Sequence, residues 1–204
     1  MGTYKQGILG SFSGKVGNVV GSSWRGTAYM RSLPKAVRNP KTQKQMEVRN
    51  KFSATVNMLK QFNEFIRASY VKTGSVGPWS TAIKANIPHT TKGDEGEWVL
   101  TPENIVLSNG SKTFTGVQID TSDLSNVNIS WTRFTIEDEF YGCNICIGFY
   151  NEDTKQGVGL SFPSESGSMV LDISDLGTAS SGKLHIYYAV ATTDMSSKVV
   201  HSTK

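Results

Sequence analysis

The sequence predicts an α+β protein in three segments, and three observations carry that prediction. Six glycines fall between Gly7 and Gly26, an apolar three-and-four rhythm runs through the next stretch, and short alternating runs fill the second half. The expected segments are a glycine-rich β-hairpin arm over 1–40, a basic helical segment over 41–92, and an acidic antiparallel β-sandwich over 93–204.

In the arm, "KVGNVVGSSW" and "TAYMRSL" are β-rich runs separated by "RGT", which reads as a hairpin. Gly7, Gly10, Gly14, Gly17 and Gly21 keep a helix-like spacing. Each interior glycine costs a helix about 1 kcal/mol relative to alanine, so an isolated helix is excluded. The arm is expected to be extended and to order on contact with another chain. Trp24, Tyr29 and Met30 are its expected apolar anchors, and Pro34 and "RNP" close it.

The helical segment opens with Thr42 and Gln45 in capping-box spacing. Val48, Phe52, Val56, Leu59, Phe62 and Ile66 then form one apolar stripe, predicting a single amphipathic helix from about Thr42 to about Tyr70. "KTGSVGP" stops it. A short second helix is expected from Pro78, which suits a first turn, to about Asn86.

From about Glu97 the period changes. "NIVLS", "FTGVQID", "VNISWTRF", "CNICIGFYN", "GVGLSF", "SMVLDIS", "KLHIYYAVA" and "KVVHS" are short β runs separated by Gly, Asp, Asn and Ser. That is the pattern of an antiparallel sandwich. "NEDTKQ" at 151–156 reads as a hairpin turn.

Charge divides the chain. Residues 1–92 hold ten Lys, five Arg and two Glu, a net +13; residues 93–204 hold five Lys, one Arg and fifteen Asp or Glu, a net −9. Such a split points to an anionic partner for the first half, and the nearest anionic candidate is the second half, in the same chain or in a neighbouring copy. Arg25, Arg31, Lys35, Arg38, Lys41, Lys44, Arg49 and Lys51 crowd together with Trp24 and Tyr29 among them. The alternative partner for this mixture is therefore nucleic acid.

No motif for chemistry stands out. A phosphate loop needs glycine five residues before Gly14, where Leu9 stands, and a hydroxyl residue after Lys15, where Val16 stands. Cys143 and Cys146 have redox or zinc spacing but sit in an apparent strand, where residues three apart point to opposite faces. They read as half-buried thiols filling small spaces. His89, His185 and His201 read as surface or packing residues, with His185 and His201 on adjacent final strands. Glu137, Asp138 and Glu139 read as a solvated loop. No catalytic residue, cofactor or metal site is expected. No apolar run approaches a bilayer span, the N-terminus lacks a secretory core, and Gln6 stands where acylation wants Ser or Thr. A cytoplasmic protein, or one assembled in a cytoplasm, is expected.

Two resemblances add to this reading. "VNISWTRF" and "LHIYYAVATTDMSSKVVHS" resemble strands of a fibronectin type III or immunoglobulin-like sandwich, which implies core aromatic positions for Trp131 and Tyr188. "GILGSFSGKVGNVVGSSWRGTAYMRSLPK", "NPKTQKQMEVRNKF", "AIKANI", "ISWT", "ICIGFYNEDTKQ" and the terminal "IYYAVATTDMSSKVVHS" resemble a domain-of-unknown-function family of bacterial and phage-encoded proteins. Relatives tend to carry a second glycine where this chain has Ser11. The family implies no activity, cofactor or catalytic residue. Asn39, Pro40, Thr42, Gln45 and Arg49 match an N-P-x-T-x-x-Q-x-x-x-R stretch similar to those of phage-associated proteins, implying a virion or assembly role.

The expectation is a non-enzymatic subunit of a homo-oligomer or larger multi-copy assembly, a phage head, neck or tail component, making its contacts through the arm. Nucleic-acid binding through the basic half, and ligand or glycan binding by sandwich loops, are the alternatives.

Overall fold

The computed structural model describes residues 3–4, 12–36, 39–72, 74–112, 116–120, 126–131, 142–164, 167–177, 183–192 and 196–203. The chain is mixed α and β, with antiparallel sheets, and divides into two compact units, Met1–Thr42 and Gln43–Lys204.

The first unit is an antiparallel sheet of β1 (Thr3–Tyr4), β2 (Phe12–Val16), β3 (Val19–Trp24) and β4 (Thr27–Ser32), in that order. Strands β3 and β4 meet across Arg25–Gly26, at the expected hairpin. Both turn residues have positive φ, 51° and 83°, as a two-residue type I′ turn requires. The run "KVGNVVGSSW" is two strands rather than one. Val16 pairs with Val19, and Gly17, at φ 56°, reverses the chain between them. A Cβ at Gly21 would strike the Phe12 carbonyl and lie 2.7 Å from the Phe12 ring, so that glycine lets the ring lie flat on the sheet.

The second unit opens with α1 (Gln43–Lys60), α2 (Asn63–Ser69) and α3 (Pro78–Asn86). The expected single helix to Tyr70 is corrected to two. At Phe62 the backbone leaves helical geometry (φ −106°, ψ 24°), and its N–H donates to the Leu59 carbonyl at 3.0 Å. The expected stripe is corrected as well. Leu59, Phe62 and Ile66 are buried, but Val48 and Phe52 are exposed. The short helix spans Pro78–Asn86, as its sequence suggests, and a small hairpin follows: β5 (Thr91–Lys92) with β6 (Trp98–Val99).

Seven strands then build two sheets: β7 (Val117–Asp120), β8 (Asn126–Trp131), β9 (Asn144–Asn151), β10 (Gln156–Pro163), β11 (Ser168–Asp172), β12 (Leu184–Ala191) and β13 (Val200–Thr203). One sheet has the order β10-β9-β12-β13, the other β11-β8-β7, and all pairings are antiparallel. Alternation sets the layers. Ile145, Ile147 and Phe149 of β9, with Leu184 and Ile186 of β12, pack against Val127, Ile129 and Trp131 of the three-stranded sheet. The other face of β9 and β12 presents Cys146, Tyr150, Tyr187, Ala189 and Ala191 to the helices. The four-stranded sheet is thus covered on both sides.

"NIVLS" forms no strand, correcting the expectation. Ile105 and Leu107 are buried beneath the helices in irregular backbone. Side chains replace a ladder there. Val106 exchanges hydrogen bonds with the Asn86 carboxamide, Tyr70 Oη donates to the Val106 carbonyl at 2.9 Å, and Ser69 Oγ donates to the Leu107 carbonyl. These bonds satisfy buried peptide groups that would otherwise each cost about 1–3 kcal/mol.

The helical layer rests on a gap in the sheet. Gly148 and Gly159 are cross-strand partners. A Cβ at Gly159 would lie 2.9 Å from Phe62 Cα and 2.9 Å from Phe65 Cβ; one at Gly148 would lie 3.1 Å from the Phe62 ring. The helix break therefore sits on bare backbone, with the Phe62 ring edge-on to Tyr187 at 5.5 Å. Replacing Gly159 by Ala is expected to cost about 1–3 kcal/mol by overpacking. Phe62→Ala is expected to cost about 3–5 kcal/mol. Urea denaturation measures both; a Gly159→Ala protein as stable as the parent would contradict the close approach.

Candidate functional site

The first unit holds most of the expected site residues. By register, Lys15, Val20, Trp24, Tyr29 and Arg31 share one face of its sheet, and Phe12, Val16, Val19 and Met30 share the other. Trp24 is 65% exposed and Met30 70%; Tyr29, Val16, Val19 and Leu33 are exposed as well. Among the described residues of this unit only Gly21 is buried. Trp24, Thr27 and Tyr29 line an open depression of about 380 Å³. The Arg25 guanidinium stands 4.6 Å from the Trp24 ring, a cation–π contact. Gly14, Gly17 and Gly21 lie in the sheet and its turn, while Gly7, Gly10 and Arg38 lie outside the described residues.

The expected basic set falls in two places. Arg25, Arg31 and Lys35 belong to the first unit with Lys41, while Lys44, Arg49 and Lys51 ride on α1. The Lys51 ammonium lies 5.0 Å from the ring centre of Trp98 in β6, and the Lys92 ammonium lies 5.4 Å from it. Lys92 also pairs with Glu47 of α1 at 3.2 Å. Between α1 and the β5–β6 hairpin runs a cleft of about 600 Å³, with Trp98 in its wall. Sequence reasoning missed this cleft. The signal available was one tryptophan just after "GDEGE", a loop too charged to be core.

The two strand histidines meet. His185 in β12 is fully buried, and its Nδ1 lies 3.0 Å from His201 Nε2 in β13, with the rings stacked nearly parallel. Only one of the two facing nitrogens can carry a hydrogen at that distance. His201 also stacks on Tyr187 at 4.9 Å, and Tyr187 Oη donates to the Pro102 carbonyl at 2.7 Å. Glu152 Oε2 stands 3.7 Å from His185 Nε2. Burial lowers the pKa of His201, the neighbouring His185 lowers it further, and Glu103 works in the opposite direction.

The thiols are more buried than the expected half-buried pair. Cys143 and Cys146 are free and enclosed. Burial pushes the Cys146 thiol to about 12 and raises Cys143 as well, so both stay protonated near neutrality and make poor nucleophiles and poor metal ligands. Among the described residues no three His, Cys, Asp or Glu side chains gather as a metal cluster, and no helix is long and apolar enough to cross a membrane. Glu137, Asp138 and Glu139 lie outside the described residues.

These features define an α+β protein of two units: a small, basic sheet with no core among its described residues and an antiparallel double sheet capped by helices. A family described as one of unknown function, DUF6266, matches residues 11–172. The chain belongs to that family. Nothing among the curated proteins or the solved structures matches it.

Acidification tests the histidine pair. The folded state disfavours protonated His201, so the unfolded chain binds more protons and stability rises with pH. The full contribution is present above the ordinary histidine value of 6.5 and is lost as the pH falls below it toward the lowered folded value. Thermal melts are expected to shift down between pH 7.5 and pH 5.5, and His201→Gln to flatten that shift. Equal melting temperatures for the parent at both pH values would contradict the assignment.

Proposed function

We propose that the chain is a non-enzymatic assembly subunit whose first unit binds other protein copies. One observation carries this reading: the sheet of β1–β4 exposes Trp24, Tyr29, Met30, Val16 and Val19 and buries only Gly21 among its described residues. A small sheet needs packing against another layer for independent stability. Exposed apolar area of this kind marks a protein contact. The charge division gives the contact a direction, since the net +13 of residues 1–92 complements the net −9 of residues 93–204 on a second copy.

The double sheet supports an interaction role of its own. Numbered within the sandwich, its first, second and fifth strands form one sheet and its fourth, third, sixth and seventh the other, an order that supports the reading as a fibronectin type III or immunoglobulin-like module. Trp131 is buried between the sheets and donates from Nε1 to the Ser164 carbonyl at 2.8 Å, while Tyr188 packs at the edge of the same core. A phage particle is the assembly toward which the resemblance of the arm and of the Asn39–Arg49 stretch points, with the cytoplasm of the host as the place of assembly.

A second reading rests on the face that joins Trp24 and Tyr29 to Lys15 and Arg31. Cations beside exposed aromatic rings suit a single-stranded nucleic acid. That reading requires binding to an oligonucleotide that weakens steeply with salt.

Deleting residues 1–33 is expected to reduce the assembled mass, measured by light scattering, to roughly half or less. Trp24→Ser with Met30→Ser is expected to act in the same direction without loss of the second unit's melting transition. A truncated chain that assembles like the full one would remove the proposal.

A further inference from the structure

The cleft between α1 and the β5–β6 hairpin has a wall built for hydrogen bonding. Gln43, Asn50 and Asn57 line it and stand seven residues apart. Seven residues are nearly two turns, so the three carboxamides form one row spanning roughly 21 Å along the helix. Asn86, Asn109 and Asn151 of this unit commit their carboxamides to backbone, on Val106, on Val71, and on Leu176 and Gly177. Gln43, Asn50 and Asn57 make no such side-chain bond to any described residue. Ser53, between them, is likewise uncommitted.

The opposite wall supplies an aromatic ring and a mixed charge. Trp98 is partly exposed there, beside Glu97 and Lys92. Glu47 and Lys92 face each other across the cleft and are already paired. A phosphate or other polyanion would meet two carboxylates, Glu47 and Glu97, as well as the two ammonium groups of Lys51 and Lys92, so the cleft has no net positive charge to hold it. An apolar ligand would find little beyond Met46, Ala54 and the indole. What the lining offers is a row of groups that each donate and accept, together with one flat aromatic surface. That combination fits a neutral, hydroxyl-rich oligomer. Lys51 and Lys92 both stand over the Trp98 ring. Exposed cation–π contacts are weak, so a stacking ligand can displace them.

We infer that this cleft binds a neutral oligosaccharide, with Trp98 stacking on a sugar ring and Gln43, Asn50 and Asn57 bonding hydroxyls along the chain. Every residue lining the site belongs to the second unit. It also differs from binding by sandwich loops, because its walls are α1 and the hairpin.

The full-length chain is applied to an array of neutral glucan, mannan, galactan and xylan oligosaccharides, with sulfated oligosaccharides and a single-stranded oligonucleotide alongside. Hits are then titrated by tryptophan fluorescence. Binding to a neutral oligosaccharide is expected, with Asn50→Ala weakening it about tenfold, the loss of one well-placed pair of hydrogen bonds. Trp98→Phe, which keeps an aromatic face, is expected to retain binding. Asn50→Ala should leave the melting temperature and the light-scattering mass unchanged. No neutral ligand at millimolar concentration, a preference for the anionic probes, or affinity unchanged by Asn50→Ala would each overturn the inference. So would a loss of assembled mass in Asn50→Ala without any sugar binding, which would make the cleft a protein-docking face.

Discussion

Phe62 sits where two neighbouring strands have no side chains to offer. Gly148 and Gly159 face each other in β9 and β10, and the helical layer comes down onto their backbone until Phe62 Cα stands where a Cβ on Gly159 would be 2.9 Å away. Much else follows from that approach. The helix breaks there, because a continuous helix would carry Phe62 along a straight axis instead of letting the chain bend around the contact. Phe65 and Ile66 are turned into the same core, and Tyr187 meets the Phe62 ring edge-on. With its outer face covered, the four-stranded sheet buries side chains on both sides, and β9 and β12 are apolar nearly throughout.

The consequences reach the histidines. Tyr187, held between Phe62 and the Pro102 carbonyl, stacks on His201, which in turn meets His185. A fully buried imidazole, His185, and a half-buried one, His201, thereby meet in a layer whose position is set by two glycines, with Glu152 beside His185. The irregular stretch at 105–108 is buried in the same core beneath the helices. It stays buried because Asn86, Ser69 and Tyr70 supply the hydrogen bonds that a neighbouring strand would have supplied.

Period-two alternation made most of the strands of the double sheet legible, since covered and uncovered faces leave that rhythm in the residues. Turns were legible where backbone chemistry is local: Arg25–Gly26, and the reversal at 152–155. Pro78 marked its helix for the same reason. The break at Phe62 was not legible, because no proline or glycine marks it and Phe62 continues the apolar rhythm of the helix. Its cause lies almost a hundred residues away, in Gly148 and Gly159. Val48 and Phe52 read as core because period alone cannot say where a covering layer ends. "NIVLS" read as a strand because its pairing is done by side chains remote in sequence. The cleft beside Trp98 escaped for a related reason: its wall is the polar side of α1, which in sequence is merely the solvated one.

The two units differ in what they enclose. The second unit has a closed core, and its surface carries a polar cleft. The first has strands, turns and register but, among its described residues, no interior, and Val16, Val19, Trp24, Tyr29 and Met30 are exposed. The central claim is that this sheet is completed by another molecule. Hydrogen exchange of the backbone amides of Val19–Ser32, followed as protein concentration is raised, tests it most directly. The account predicts that protection of β3 and β4 climbs with concentration while that of β9 and β12 stays constant. Protection of β3 and β4 equal to that of β9 at every concentration would contradict it.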